Sequence, residues 1–311
     1  MIRILCATDL LLKSEAALDR AALLADDVEA SVSILHVVDP NNSDLGLERA
    51  LHSAMVKMKA RSRRPLWEGA VLPNVIVRAG NPARLIVENL EQQKIDLVVM
   101  GPHRQRGIRD TLEGTIAARV MSARKCPVLI VREAPRAAYR NVVIAVDLSR
   151  VSAGAVRAAE RLAITPSTEV VVVHASEAPY EGMLRYGGSS MEAVIAHGDA
   201  WARAARLAVR DFLKLQSSDS DRYEVVIAER DATHLILRTV QRVQPDLLVM
   251  GTRGYGRARR ALLGSVANQV MHQAKCDVLV VPEGSARSNT QLSSPLRPAR
   301  RTSPRRSATI S

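Results

Sequence analysis

At 311 residues and 47% hydrophobic, the chain is long enough for two ordinary domains with full cores. Only 3% of it is aromatic while Ala, Val and Leu abound, which favours an α/β architecture of parallel strands under helices over an aromatic-rich β-sandwich. The net charge is +12, three cysteines exclude a disulfide framework, and no apolar stretch reaches the roughly 18 residues of a membrane span. Cys6, Cys126 and Cys276 lie in or beside strand-like runs and read as core residues in a reducing compartment, so a cytoplasmic protein is expected.

Taken in chain order, the first strand pattern is "ILCATD" at 4–9, followed by "LHV" at 35–37, "DLVVMG" at 96–101 and "KCPVLIV" at 125–131. The same series then returns as "VIAVD" at 143–147, "VHA" at 173–175, "DLLVMG" at 246–251 and "KCDVLVV" at 275–281. Between 96–131 and 246–281 the offset is 150 without a gap, and 16 of the 36 positions are identical. The earlier pairs are offset by 138, so the second copy carries a net insertion of 12 residues between His174 and Glu229. The chain is a tandem duplication.

Each copy reads as β-α-β-α-β-α-β-α-β, with second-copy strands expected near 141–147, 169–175, 223–229, 246–251 and 277–281. The helix after the first of these illustrates the pattern: Val151, Ala155, Ala158, Ala159 and Leu162 recur at helical spacing, Ser149 is placed to cap it, and Pro166 follows its end. Alternation of this kind implies parallel strands joined by right-handed crossovers, hence a doubly wound parallel sheet of five strands, twice. The expected divisions are 1–137, 138–283 and a tail, 284–311. That tail is rich in Pro, Ser and Arg with almost no apolar residues, which predicts a disordered basic segment, either merely solvating or in contact with nucleic acid or an anionic membrane.

In doubly wound sheets, ligands sit at the carboxyl ends of the strands where the winding reverses. "GTRGYGRARRALLGS", residues 251–265, emerges there. Gly254 lets a ligand approach the backbone, Gly264 and Ser265 open a helix whose N–H groups favour an anion, and Arg253, Arg257, Arg259 and Arg260 make the loop about +4. A phosphate chain fits; a flexible turn on a solvated surface is the alternative. There is no Walker A sequence, and no G-x-G-x-x-G follows the first strand of either copy.

The spacing G-x2-G-x9-G-[ST] at Gly251, Gly254, Gly264 and Ser265, between "DLLVMG" and "CDVLVV", resembles the universal stress protein family. The Asp in "AVDLS" and the His in "VVHA" strengthen the resemblance, which extends over residues 1–282. It implies a strand order 3-2-1-4-5 and binding of an adenine nucleotide, often ATP, with or without Mg. By that likeness Asp147 contacts the ribose or adenine and the backbones of Ala145 and Ala175 flank the base. Gly251, Gly254, Gly264, Ser265 and Val266 line the phosphates, while Ser149 and Arg253 complete the candidate set. An unnamed protein partner, pairing of the two halves through "PVLIV" and "DVLVV", and a homodimer are further implications.

The first copy departs from the motif. Arg104 stands where the second glycine should be, Gly107 is out of register, and Arg104, Arg106 and Arg109 against Asp110 and Glu113 leave only about +1. It is expected to bind nucleotide weakly or not at all. The second copy departs elsewhere, with Arg230 and Ala232 in place of Gly80 and Pro82, and Asp231 placed to cap a helix. His36 and His174 read as satisfied core histidines, and those at 52, 103, 197, 234 and 272 are isolated in sequence. In the inserted stretch Gly187 and Gly188 mark a break, and Trp201, Ala204, Ala205, Ala208, Phe212 and Leu215 predict a buried helical stripe, or else a lid or partner surface. Asp147 is the one evident carboxylate at the site and no nucleophile-base-acid set is recognisable, so a binding protein is expected ahead of a slow ATPase or self-phosphorylating enzyme.

Overall fold

The strands read as near-continuous apolar runs because helices cover both of their faces. The computed structural model describes residues 1–42, 46–64, 67, 72–102, 115–123, 125–176, 190–229, 231–252 and 264–283. The first half runs β1 (Arg3–Thr8), α1 (Leu12–Asp27), β2 (Ser31–Val38), α2 (Leu47–Arg61), β3 (Asn74–Ala79), α3 (Pro82–Gln92), β4 (Leu97–Met100), α4 (Ile116–Ser122) and β5 (Val128–Ile130). The second half repeats the order with β6 (Asn141–Ala145), α5 (Arg150–Leu162), β7 (Glu169–Ser176), α6 (Met191–Lys214), β8 (Glu224–Glu229), α7 (Ala232–Val243), β9 (Leu247–Gly251), α8 (Ser265–Gln273) and β10 (Asp277–Val281).

Within each half every strand pairing is parallel and the order is 3-2-1-4-5. The two sheets are also joined to each other: β5 and β10 pair antiparallel with Leu129 opposite Leu279, giving one ten-stranded sheet. Each half therefore covers the last edge of the other. Period-two alternation divides the strand residues between two cores. Ile4, Cys6, Val142 and Ile144 pack with α1, α2, α5 and α6, whereas Leu5, Val98, Val143 and Leu248 pack with α3, α4, α7 and α8. A fully buried Leu or Ile contributes about 1.5–3 kcal/mol.

Local signals place the helices. Ser149 Oγ accepts the Ser152 N–H at 3.2 Å, and Val151, Ala155, Ala159 and Leu162 are buried, as their spacing predicts. Asp231 caps α7 through the His234 N–H at 3.1 Å, and Asn81 with Pro82 starts α3. The stripe expected on α6 is corrected: Ala204, Ala208 and Leu215 face solvent, and the buried line is Val194, Val209 and Leu213. Trp201, Ala205 and Phe212 are only half-buried. Gly187 and Gly188 lie outside the described residues, as does the basic tail.

A buried polar cluster fastens the seam between the halves. Arg20 of α1 lies over the Tyr139 ring at 3.9 Å, donates to the Ala137 carbonyl at 2.9 Å and stands 3.5 Å from Asp277 at the start of β10. The Tyr139 hydroxyl and the backbone N–H of Arg132 each donate to Asp277, both at 2.8 Å. Burial is the leading influence on Asp277 and raises its carboxyl above the ordinary value, so those donors and Arg20 act against a substantial desolvation cost. Under the repeat offsets, Arg20 corresponds to Ala158 and Asp277 to Pro127, so the cluster has no counterpart on the other side of the seam.

Candidate functional site

In the second half the winding reverses between β6 and β9. Ala145 lies opposite Met250, so the segments that follow them leave the sheet side by side at its carboxyl edge. One of these is the turn Asp147, Leu148, Ser149. There Asp147 Oδ1 accepts the Ser149 N–H at 3.1 Å, Leu148 adopts φ 63°, and Ser149 begins α5. A leucine rarely adopts left-handed backbone. Here its side chain packs on the core, and Leu10 repeats both features in the first half, with φ 62°. The turn thus presents a carboxylate at the edge and anchors it from below.

Ala175, near the end of β7, is half-buried beside this turn's strand. The adjacent His174 is buried with Nδ1 2.9 Å from the Val146 carbonyl, and His36 makes the equivalent contact with Thr8 at 2.8 Å. Both rings are hydrogen-bonded at strand ends, but only His174 is a core residue; His36 is half-buried. Burial chiefly lowers the His36 pKa, which the Thr8 carbonyl and Asp9 partly oppose. Among the described residues no group of three or more His, Cys, Asp or Glu could hold a metal ion. The thiols are unsuited to catalysis, because burial raises Cys126 to about 12 and Cys276 to about 11.

The second segment follows Gly251, the last residue of β9. Thr252 donates its N–H to the Val281 carbonyl at 2.9 Å, and its own carbonyl accepts the Gly264 N–H at 2.8 Å. Thr252 and Gly264 are thus bonded to each other, and residues 253–263 between them, which include Arg253 and Gly254, lie outside those described. Gly264 caps α8 without a side chain, Ser265 is exposed at its first position, and Val266 packs on the core. Seven of the ten candidate residues, Ala145, Asp147, Ser149, Gly251, Gly264, Ser265 and Val266, therefore belong to two adjoining strand-to-helix transitions at one edge. Ala175 is at the end of the neighbouring strand.

The first half builds the same frame differently. Thr115, the counterpart of Ser265, is buried and its hydroxyl accepts the Ala118 N–H at 3.0 Å, so it is committed to capping α4. Pro102 replaces Thr252 and can donate no N–H to β5. Gly101 is closely packed: a Cβ there would lie 3.1 Å from the Lys13 carbonyl oxygen, tight enough that the backbone of α1 would have to give by a few tenths of an ångström. Arg104, Arg106, Gly107, Arg109, Asp110 and Glu113 lie outside the described residues, as does Arg230 in the second half. A shallow cleft of about 280 Å³ remains at the ends of β2 and β3, lined by Asp39, Pro40, Asn41, Gly80, Asn81 and Pro82. Sequence reading had not singled out Leu148, Thr252 or Pro102; of these, only the Thr252/Pro102 difference was visible in the repeat alignment.

Comparison with known proteins agrees with the tandem architecture. The universal stress protein family matches twice, over residues 1–132 and 138–282. Universal stress protein A homolog 1 of Coxiella burnetii is 28% identical over 144 residues, 46% of this chain and 96% of that protein. Universal stress protein Rv2005c of Mycobacterium tuberculosis is 25% identical over 195 residues, 60% of this chain and 61% of the relative's length. Among solved structures, a universal stress protein from Archaeoglobus fulgidus superposes with a TM-score of 0.59 at 19% identity, covering 91% of this chain and 98% of that one. With both halves matched by the family and both carrying its strand order, the chain belongs to the universal stress protein family.

Proposed function

We propose that this protein binds one adenine nucleotide, ATP with Mg, at the carboxyl edge of its second half, and that occupancy regulates a protein partner in a stress response. The observation that carries the reading is the closure of Thr252 on Gly264 at 2.8 Å, which returns the chain to the exposed Ser265 and the start of α8 at the carboxyl end of β9, the strand paired with the one that leads into the Asp147 turn. A helix start supplies N–H donors and a positive dipole end to phosphates, and a carboxylate accepts from ribose hydroxyls. In this reading Gly251, Gly254, Gly264, Ser265 and Val266 line the phosphates, Arg253 adds positive charge, and Asp147, held by the turn that Ser149 completes, meets the ribose or adenine between Ala145 and Ala175. The halves divide near residue 137, the first being a partner domain with a lapsed site.

Calorimetric titration of the nucleotide-free full chain with Mg-ATP tests this directly. One site per chain is expected. Two sites would refute the division of labour, and none would refute nucleotide binding itself.

A further inference from the structure

Among the described residues of the second half, two side-chain polar atoms are sealed from water with no bonding partner, Thr252 Oγ1 and Asn268 Oδ1. Thr252 is 2% exposed. Both residues adjoin Gly264: the Thr252 carbonyl accepts the Gly264 N–H at 2.8 Å, and the Gly264 carbonyl accepts the Asn268 N–H at 3.0 Å. A helical side chain covers the turn on the N-terminal side of its own Cα, which lays Asn268 over the opening turn of α8. Orphaned buried oxygens lower stability, and folded proteins seldom retain them without a use.

The duplication supplies an internal control. At the offset of 150, Thr252 corresponds to Pro102 and Asn268 to Ala118, neither of which carries a polar side chain. These two orphans thus belong to the half that retains Gly254, and both are lost in the half that has Arg104.

Their chemistry narrows what they hold. An amide oxygen only accepts, and a hydroxyl oxygen can accept as well as donate. Asn268 Oδ1, facing a phosphate chain, is repelled unless a cation lies between, and the Thr252 hydroxyl, free to turn its proton away, can accept beside it. Hard divalent cations prefer oxygen ligands, and Mg²⁺ typically combines one or two protein groups with phosphate oxygens and water. We propose that Thr252 Oγ1 and Asn268 Oδ1 are protein ligands of the divalent cation that accompanies the nucleotide phosphates. This rests on the nucleotide reading above. The N–H groups at the start of α8 disfavour a bare cation, so the metal enters only with the phosphates.

The test titrates ATP into the full-length wild type, Thr252→Val and Asn268→Ala, in excess Mg²⁺ and again in EDTA, and follows Mn²⁺ alone by electron paramagnetic resonance. Wild-type affinity should rise with Mg²⁺, and each variant should lose about tenfold or more of its affinity in Mg²⁺ while matching wild type in EDTA. Ligand-free Thr252→Val should melt higher than wild type, which also verifies its folding. Equal weakening in both buffers would assign direct phosphate contacts and overturn the proposal, as would no weakening in either. Tight Mn²⁺ binding without nucleotide would overturn the coupled entry. Wild type that binds no ATP in either buffer would remove the nucleotide reading itself, and this inference with it.

Discussion

Single residues separate the two halves more sharply than their shared fold does. If the proposed nucleotide site is right, Gly254→Arg, which copies position 104, should weaken ATP binding by about tenfold or more, because that reading needs a residue without a Cβ there. Arg104→Gly should not restore a site in the first half: Asp110 and Glu113 remain, Thr115 is committed to its cap, and Pro102 lacks the N–H that joins Thr252 to β10. Titration of each variant checks both outcomes. The caps at Ser149 and Asp231 were legible because a short polar side chain before an apolar helical run has one obvious use. The left-handed Leu148 was not, since local propensity argues against it and only its packing on the core compensates.

At the scale of elements, strands were easier to read than helix faces. Burial on both sides turns the central strands into apolar runs, which the repeat reads twice, while the outer strands β3 and β8 carry exposed polar residues such as Asn74, Arg78 and Glu224. On α6, alanines surround the axis, so composition gave no phase; the face was decided by Val209 and Leu213 against the sheet. Strand ends carry a titratable element as well. Burial lowers the His36 pKa below its ordinary 6.5, so the folded state binds fewer protons than the unfolded chain as the pH falls through that value. Stability associated with His36 is therefore present above about pH 6.5 and declines on acidification. Melting curves between pH 7.5 and 5.5 should show it, and His36→Gln should reduce the slope.

For the whole molecule, pairing through the last strands was an implication of the family resemblance, whereas the cluster that secures it had no signal in the sequence. On a helix in sequence, Arg20 looks like one more surface charge, yet it is 6% exposed and meets Tyr139 and Asp277 from the far end of the chain. Arg20→Ala leaves the Asp277 carboxylate buried beside fewer positive charges and should cost about 3–5 kcal/mol in denaturant unfolding. A smaller loss than Tyr139→Phe, which removes the hydroxyl that donates to Asp277, would show that the seam depends less on α1 than this geometry implies. The one-sidedness of that cluster has an evolutionary corollary. In an assembly of identical subunits related by a two-fold axis, every contact occurs twice, and a change that spoils a site spoils both. Joining the copies on one chain broke that constraint, allowing each half to accumulate substitutions that its twin does not share, so that separated halves would no longer be interchangeable parts.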